Sequence, residues 1–387
     1  MASGQKDFVN FSNYDVLGFD MDYTLARYKL VPFFKMVYHG ACEYLVKEKK
    51  YDATIFHDLE KERDLIYKGL LLDFETGHIL KLGHDGVILR AVHGTKKLTP
   101  DELVAAYGPG RKFPHYETWT KYGHTKPNSS WRFFENYFDI PGLVAFARIL
   151  DHFREKGALE SQKTYEDVWA DVHESLFELY TFPHFKGREF EVGQAVETLE
   201  ADRDYLMGNN VDLMNFFRKE TGKADPKVIY FGDNLWADAW PSHSAGWDAV
   251  LILEEMDAEG YAVSDGTVPG HDLERQDDLD KPLTVKPKRY EHSSLVTEEE
   301  LQWMVSDFWG SIFIDDLQAE RSGNTLQDLK MNTAYGDLIS RYSTICVPSI
   351  EYLAGVPVDH DFARFSQVDG CARGFHPGRP KSLIVPQ

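Results

Sequence analysis

Two aspartates stand two positions apart in DVLGFDMDYTLARYK, residues 15–29, where an apolar run gives way to polar residues. Asp20 follows the run directly, and Asp22 points the same way if the extended backbone is only just ending there. Far along the chain, VIYFGDNLWAD at 228–238 repeats the arrangement, an apolar run closing on Asp233 with Asp238 shortly after. In an open α/β sheet ligands gather at the carboxyl ends of the strands, so Asp20 and Asp233 can meet at one site. Two carboxylates and a backbone carbonyl are hard oxygen ligands that suit Mg²⁺, an ion that keeps several waters and bridges to a phosphate oxygen. With its charge screened, Asp20 can attack phosphorus and form an aspartyl-phosphate. Asp22 can protonate the leaving oxygen and later take the proton of an attacking water. One aspartate cannot do both, and the DxD spacing assigns one role to each.

The plain alternative is an acidic turn after a strand, since Asp is common where strands stop. Thr24 close behind, together with a second strand ending FGDNLWAD, favours the chemical reading. Other chemistries lack their signatures: there is no G-x-S-x-G, no G-x-x-x-x-G-K-[ST] and no H-E-x-x-H. His78, His84 and His93 share one β-rich stretch, without the cysteine or paired-carboxylate pattern of a zinc site.

The elements that must position these residues are legible. DVLGF at 15–19 reads as a short buried strand, and FKMVYHGACEYLVKEKK at 34–50 as a helix with Val37, Ala41, Tyr44 and Leu45 on one face. The stretch 68–98, punctuated by ETG and GHDG, reads as an antiparallel β-unit. TPDELVAAYG at 99–108 predicts a helix with Thr99 as N-cap, Pro100 in first position, Glu102 closing a capping box and Gly108 as the stop. An amphipathic helix is expected over 136–157, introduced by Pro141, and another over 164–180. Strands are expected within 227–240 and 246–255. A strand passing into a short helix is expected at 343–354. From Glu254 to Asp280 ten acidic residues face a single arginine, a composition that predicts a flexible insertion over about 256–298.

The 387 residues carry a net charge of −21, with 42 basic and 63 acidic side chains. That balance offers no basic footprint for nucleic acid. KEKK at 47–50 is answered at once by DLEKERD and reads as a solvated helix face. A phosphate would approach against the overall field, so local positive charge or a metal must draw it in. Three scattered cysteines without a CxxC pair fit a reducing compartment. No apolar run approaches the roughly 18 residues of a membrane span, so a cytoplasmic location is the expectation.

GFDMDYTLARY and VIYFGDNLWAD resemble the first and fourth motifs of the cytosolic 5′-nucleotidases of the haloacid dehalogenase-like superfamily. KGLLLDFETGHILKL, NYFDIPG, WGSIFID and YSTICVPSIE extend the likeness to this nucleotidase group in particular. The resemblance implies an α/β, haloacid dehalogenase-like (Rossmannoid) parallel sheet with a cap insertion. The core would comprise 1–33 and 225–387, and the cap and helical insertion 34–224. It implies Asp20 as nucleophile and Asp22 as general acid/base. Mg²⁺ would be held by Asp20, the carbonyl of Asp22 and Asp233, with Thr24 and Asp238 in support. The family's second motif, an apolar strand ending in a phosphate-binding Ser or Thr, and its third, a lysine, have no counterpart between 180 and 227. Lys186 is the nearest lysine by position, in the unlike context HFKGRE. The chain therefore reads as a shortened form, its sheet missing strands. DVLGF becomes an edge strand whose unpaired backbone groups need cover.

The resulting expectation is a Mg²⁺-dependent 5′-nucleotidase-like phosphatase acting on nucleoside 5′-monophosphates or a related phosphomonoester. The alternative is a catalytically impaired relative that keeps ligand binding and serves as a binding or regulatory partner. Phosphoryl transfer to an acceptor other than water would use the same residues. A homo-oligomer is compatible with either. Phe74, Tyr137 and Phe138 could stack on a base, but in so aromatic a chain they read first as core.

Overall fold

A computed structural model describes residues 8–123, 130–156, 163–181, 210–262, 292–318, 332–366 and 372–383. In chain order the strands are β1 (Phe8–Val9), β2 (Val16–Phe19), β3 (Leu70–Asp73), β4 (His78–Leu82), β5 (Ile88–His93), β6 (Lys96–Lys97) and β7 (Trp131–Phe134). They continue with β8 (Val228–Gly232), β9 (Asp248–Ile252), β10 (Tyr261–Ala262) and β11 (Ile345–Val347). Two sheets organise all but β1 and β10, which pair in short two-stranded ladders with Phe362–Ala363 and Arg379–Pro380. One is parallel, in the order β11-β9-β8-β2, and the other antiparallel, in the order β6-β5-β4-β3-β7. Parallel neighbours need a crossover. Between β2 and β8 that crossover contains the whole antiparallel sheet and its helices. This is the α/β parallel sheet with an insertion that the sequence predicts.

The short apolar strands are buried where the parallel sheet is covered on both faces, as for Ile229, Phe231, Val250, Ile252, Ile345 and Val347. β2 is the exception. Its register pairs Val16 with Val228 and Phe19 with Phe231, and among the described residues nothing pairs with its other edge. Leu17 and Phe19 are 44% and 42% exposed, and beyond the strand Met21 and Leu25 reach 62% and 55%. The expected edge strand is thus present, and its apolar face is open among the described residues.

Helix α1 (Leu30–Lys47) places Leu30, Phe34, Val37, Tyr38, Ala41 and Leu45 on a buried stripe against α4 (Ile140–Lys156) and α5 (Tyr165–Tyr180). α2 (Pro100–Tyr107) has the Thr99–Glu102 capping box and stops at Gly108 as the sequence predicts, and α3 (Tyr116–Tyr122) follows it. α4 differs from the expected amphipathic helix, because every residue from Ile140 to Leu150 is buried. Arg148 is buried with them and donates to the Tyr38 hydroxyl and to the carbonyls of His57 and Asp58. Tyr137 belongs to the main core cluster, and Phe74 and Phe138, partly buried, pack against it, which accounts for all three as packing residues.

The acid-rich stretch from Glu254 begins as ordered structure. Glu255–Glu259 form a short helix in which Glu255, Met256 and Asp257 are buried, followed by β10 paired with Arg379–Pro380. The acids are held by specific partners. Tyr261 donates to Asp257, and Ser311 donates to Glu259, as does the Ile312 N–H. Composition alone cannot anticipate such pairing. Residues 292–298 are likewise described, with Thr297 capping the helix Glu298–Trp303. The middle of the expected insertion lies outside the described residues, as does Lys186.

Candidate active site

The site forms where β2 and β8 end side by side. The Asp20 N–H donates to the Phe231 carbonyl at 2.8 Å, continuing the parallel ladder one residue past β2. Asp233 is the first residue after β8. The chain then winds into a π-helical turn, Leu235–Ala239, in which the Ala239 N–H reaches back five residues to the Asn234 carbonyl at 3.2 Å. This wider winding, common at functional sites, turns Asp238 back over the strand end. Asn234 caps the turn by accepting from Trp236 and Ala237, and its own N–H donates to Asp238 Oδ2 at 2.9 Å. Gly232 makes the approach possible, since a Cβ there would lie 2.3 Å from the Asp238 carboxylate.

One carboxylate oxygen from each of Asp20, Asp233 and Asp238 lies within 4.8 Å of the others. Among the described residues this is the only convergence of three metal-ligating side chains. His78 and His93 face each other across strands, ring centroids 5.6 Å apart, while His84 sits in the following turn against the Asn332 carbonyl. Asp238, expected as a supporting residue, thus stands in the cluster itself. The sequence signal was its place five residues after Asp233, but the π-turn that brings it round has no composition of its own.

The Asp22 carboxylate is not part of the cluster. It accepts the Tyr28 hydroxyl at 2.7 Å, and burial, then that bond, push the Tyr28 phenol up to about 12. The loop carrying Asp22 is tight: Tyr23 has φ +56° and its N–H donates to the Ala26 carbonyl at 2.8 Å. Thr24 is buried in that loop, and its hydroxyl finds no hydrogen-bond partner among the described residues.

The three carboxyl groups of the cluster, which could hold a cation, perturb one another. Burial pushes the Asp233 carboxyl up to about 7, opposed by Lys68 and helped by Asp20. Burial and then the Asp20 charge push Asp238 up to about 8. Asp20 is raised as well, by burial and by Asp22, against a bond from the Met21 backbone. Three buried or half-buried carboxyl groups with this mutual repulsion are the donor set that a hard divalent ion neutralises.

Lys68 was not singled out from the sequence. It precedes β3, is 2% exposed, and its Nζ lies 3.2 Å from Glu255 and 4.2 Å from the centre of the Tyr137 ring. Burial works to remove its proton, but Glu255, Asp233 and Glu254 hold it, and its pKa is raised. Arg27, half-buried in the loop after Asp22, pairs with Glu254 at 2.5 Å and Glu300 at 3.2 Å.

A parallel sheet with an aspartate after its first strand, more carboxylates after the neighbouring strand and a folded unit inserted between them defines the haloacid dehalogenase-like class. Residues 6–190 match the model of the 5′-nucleotidase family. The human 5′-nucleotidase domain-containing protein 1 is 30% identical over 464 positions, covering 95% of this chain and 96% of the relative, and the bovine protein of that name is 28% identical over 461. The rat 5′-nucleotidase domain-containing protein 2 is 29% identical over 178 positions, 43% of this chain and 30% of the relative. The chain belongs to the 5′-nucleotidase family. An alignment of 464 positions is longer than the 387 residues of the chain, so the human relative carries sequence without a counterpart here. Among the described residues no helix is long and apolar enough to cross a membrane.

Proposed function

We propose that this chain is a Mg²⁺-dependent phosphatase of the 5′-nucleotidase kind, acting on nucleoside 5′-monophosphates or a related phosphomonoester from the cytoplasm. The observation that carries the reading is the convergence of Asp20, Asp233 and Asp238 at the ends of two paired strands, with Asp22 held apart. The donor set fits the ion: Asp20 and Asp233 would hold it with the Asp22 carbonyl, and Asp238 would ligate directly or through water. When bound, Mg²⁺ supplies charge screening for Asp20 and for the phosphoryl oxygens.

In the first step an Asp20 carboxylate oxygen attacks phosphorus, the ester P–O bond breaks, and Asp22 delivers its proton to the leaving oxygen. In the second, water attacks the aspartyl-phosphate, Asp22 takes the water's proton, and the bond between phosphorus and Asp20 breaks to release phosphate. Tyr28 orients Asp22 throughout by donating to one oxygen and leaving the other free to move the proton. The test is a phosphate-release screen with Mg²⁺ across nucleoside monophosphates and simple phosphomonoesters, with Asp20→Asn as the blank. Activity above the blank is expected, and activity equal to it would sink the reading.

A second reading, a catalytically impaired relative that binds without turnover, is favoured by the edge of β2, which nothing pairs among the described residues and where the family's phosphate-binding strand is expected. Each missing oxyanion donor can cost about 10²–10³ in rate. Mg²⁺-dependent phosphate binding without release of phosphate from any ester would establish it.

A further inference from the structure

We propose that Arg27 is a positioning residue for proton transfer: by fixing the far end of the loop Met21–Ala26, it holds the Asp22 carboxylate in one place. The inference rests on the reading of Asp22 as general acid/base given above and names what keeps that loop where it sits.

The loop is closed upon itself. The Leu25 and Ala26 N–H groups donate to the Met21 carbonyl at 3.0 and 2.8 Å, and the Tyr23 N–H donates to the Ala26 carbonyl at 2.8 Å. A β-bridge pairs Asp22 with Ala26. These bonds keep the shape of the loop but do not fix its place. The near end is fixed by the Asp20 N–H on the Phe231 carbonyl. The far end is Arg27. Its guanidinium donates through Nε to Glu254, just beyond β9, at 2.5 Å, and through Nη1 to Glu300 and the Leu295 carbonyl, each at 3.2 Å. The Leu30 N–H donates to the same Glu300 oxygen at 2.6 Å. Tyr28, whose hydroxyl donates to Asp22, is therefore bracketed by two residues that share one carboxylate oxygen. The Tyr23 ring packs against Tyr28 and Tyr137, but ring contacts tolerate sliding, whereas a planar fork with donors in fixed directions does not. The side chains of Arg27, Glu254 and Glu300 keep only 12%, 7% and 5% of their exposure, so little water reaches the staple to loosen it. Buried ion pairs of this kind add little net stability over apolar packing, and what they can add is a single arrangement.

The test uses the full chain and two probes with Mg²⁺, glycerol 2-phosphate and p-nitrophenyl phosphate. An alkoxide leaves readily only with a proton, whereas p-nitrophenolate leaves without one. The ratio of kcat/KM for the two esters therefore reports proton delivery by Asp22. Arg27→Lys keeps the charge and loses the fork, and Arg27→Met/Glu254→Gln leaves no unpaired acid where the guanidinium was. Each should lose about tenfold on the alkyl ester, inside the roughly 10²-fold that a misplaced group can cost, and several times less on the aryl ester. In an Asp22→Ala background the same substitutions should leave the ratio unmoved, because the residue they act through is gone. Amide exchange in chelator needs no turnover and should be faster at Tyr23 and Ala26 in both variants, with thermal melting to establish that they fold. A loss equal for the two esters in either folded variant would overturn the proposal, because the role would then be structural. So would an unmoved ratio, a shift in ratio that persists in the Asp22→Ala background, or unchanged exchange at both amides. A wild type that releases no phosphate from either probe would overturn the parent reading and this inference with it.

Discussion

Replacing Asp238 by asparagine should make the metal-free protein more stable, and the gain should depend on pH in a defined way. The Asp238 carboxyl rises from its ordinary 3.8 to about 8 because it is buried beside Asp20. A raised carboxyl pKa means that the folded state binds more protons than the unfolded state between those two values. Stability therefore falls as pH rises through that window. At pH 7 the displaced titration corresponds to about 4 kcal/mol, at 1.36 kcal/mol per unit. Asparagine has no such titration, and its amide oxygen can still accept the Asn234 N–H that Asp238 accepts at 2.9 Å. Allowing for an amide group set among carboxylates, about 2–4 kcal/mol of stabilisation should remain at pH 7. The assay is urea unfolding of wild type and Asp238→Asn in chelator from pH 4 to 9. The two should agree near pH 4 and diverge up to about pH 8. Saturating Mg²⁺ should then favour the wild type, which keeps all three carboxylates. A difference that does not vary with pH, or an asparagine variant no more stable than wild type at pH 8 in chelator, would refute the reasoning.

Gly232→Ala should displace Asp238, because the new Cβ would fall 2.3 Å from its carboxylate. A loss of about 1–3 kcal/mol in unfolding experiments is expected, with weaker Mg²⁺ binding by calorimetry, and unchanged binding would contradict the close approach. His78 is depressed from 6.5 to about 4 by burial and then by His93. Its contribution is present above pH 6.5 and lost as pH falls towards 4, up to about 3 kcal/mol. The stability difference between wild type and His78→Gln should therefore shrink across that range in urea titrations, and a flat difference would count against it. Leu17→Lys places a charge on the edge of β2 that is unpaired among the described residues, and should lower light scattering from any association through that edge with little change in melting temperature. No reduction would mean that the edge is not the surface through which copies meet.

What the sequence disclosed was local. The Thr99–Glu102 box and Gly108 stop are chemical signals within ten residues, and the structure repeats them position by position. Asp20 and Asp233 were legible because an apolar strand ending in an acid is a short pattern that occurs twice. Lys68 was not legible, because a lysine ahead of a strand is ordinarily solvated. Only the packing of β3 beside β7, and of Tyr137 and Glu255 around the amine, buries it. The acids of 254–259 misled for the same reason: composition counts charges, but Tyr261, Ser311 and the Ile312 N–H decide whether those charges are ordered.

The position of β2 at the sheet edge has a thermodynamic consequence. Among the described residues β2 is fastened by a single ladder, four residues long, to β8. An element so attached can detach locally at lower free energy than the global unfolding of the domain. A cation bridging Asp20 and Asp233 would span that very ladder, binding only while both strands are docked. By mass action it would add about 2.7 kcal/mol to the strand's attachment at a hundred times its dissociation constant. Amide exchange along 16–20 would then report metal occupancy without any turnover. The tendency of the edge to pair with other chains would become a function of free divalent ion.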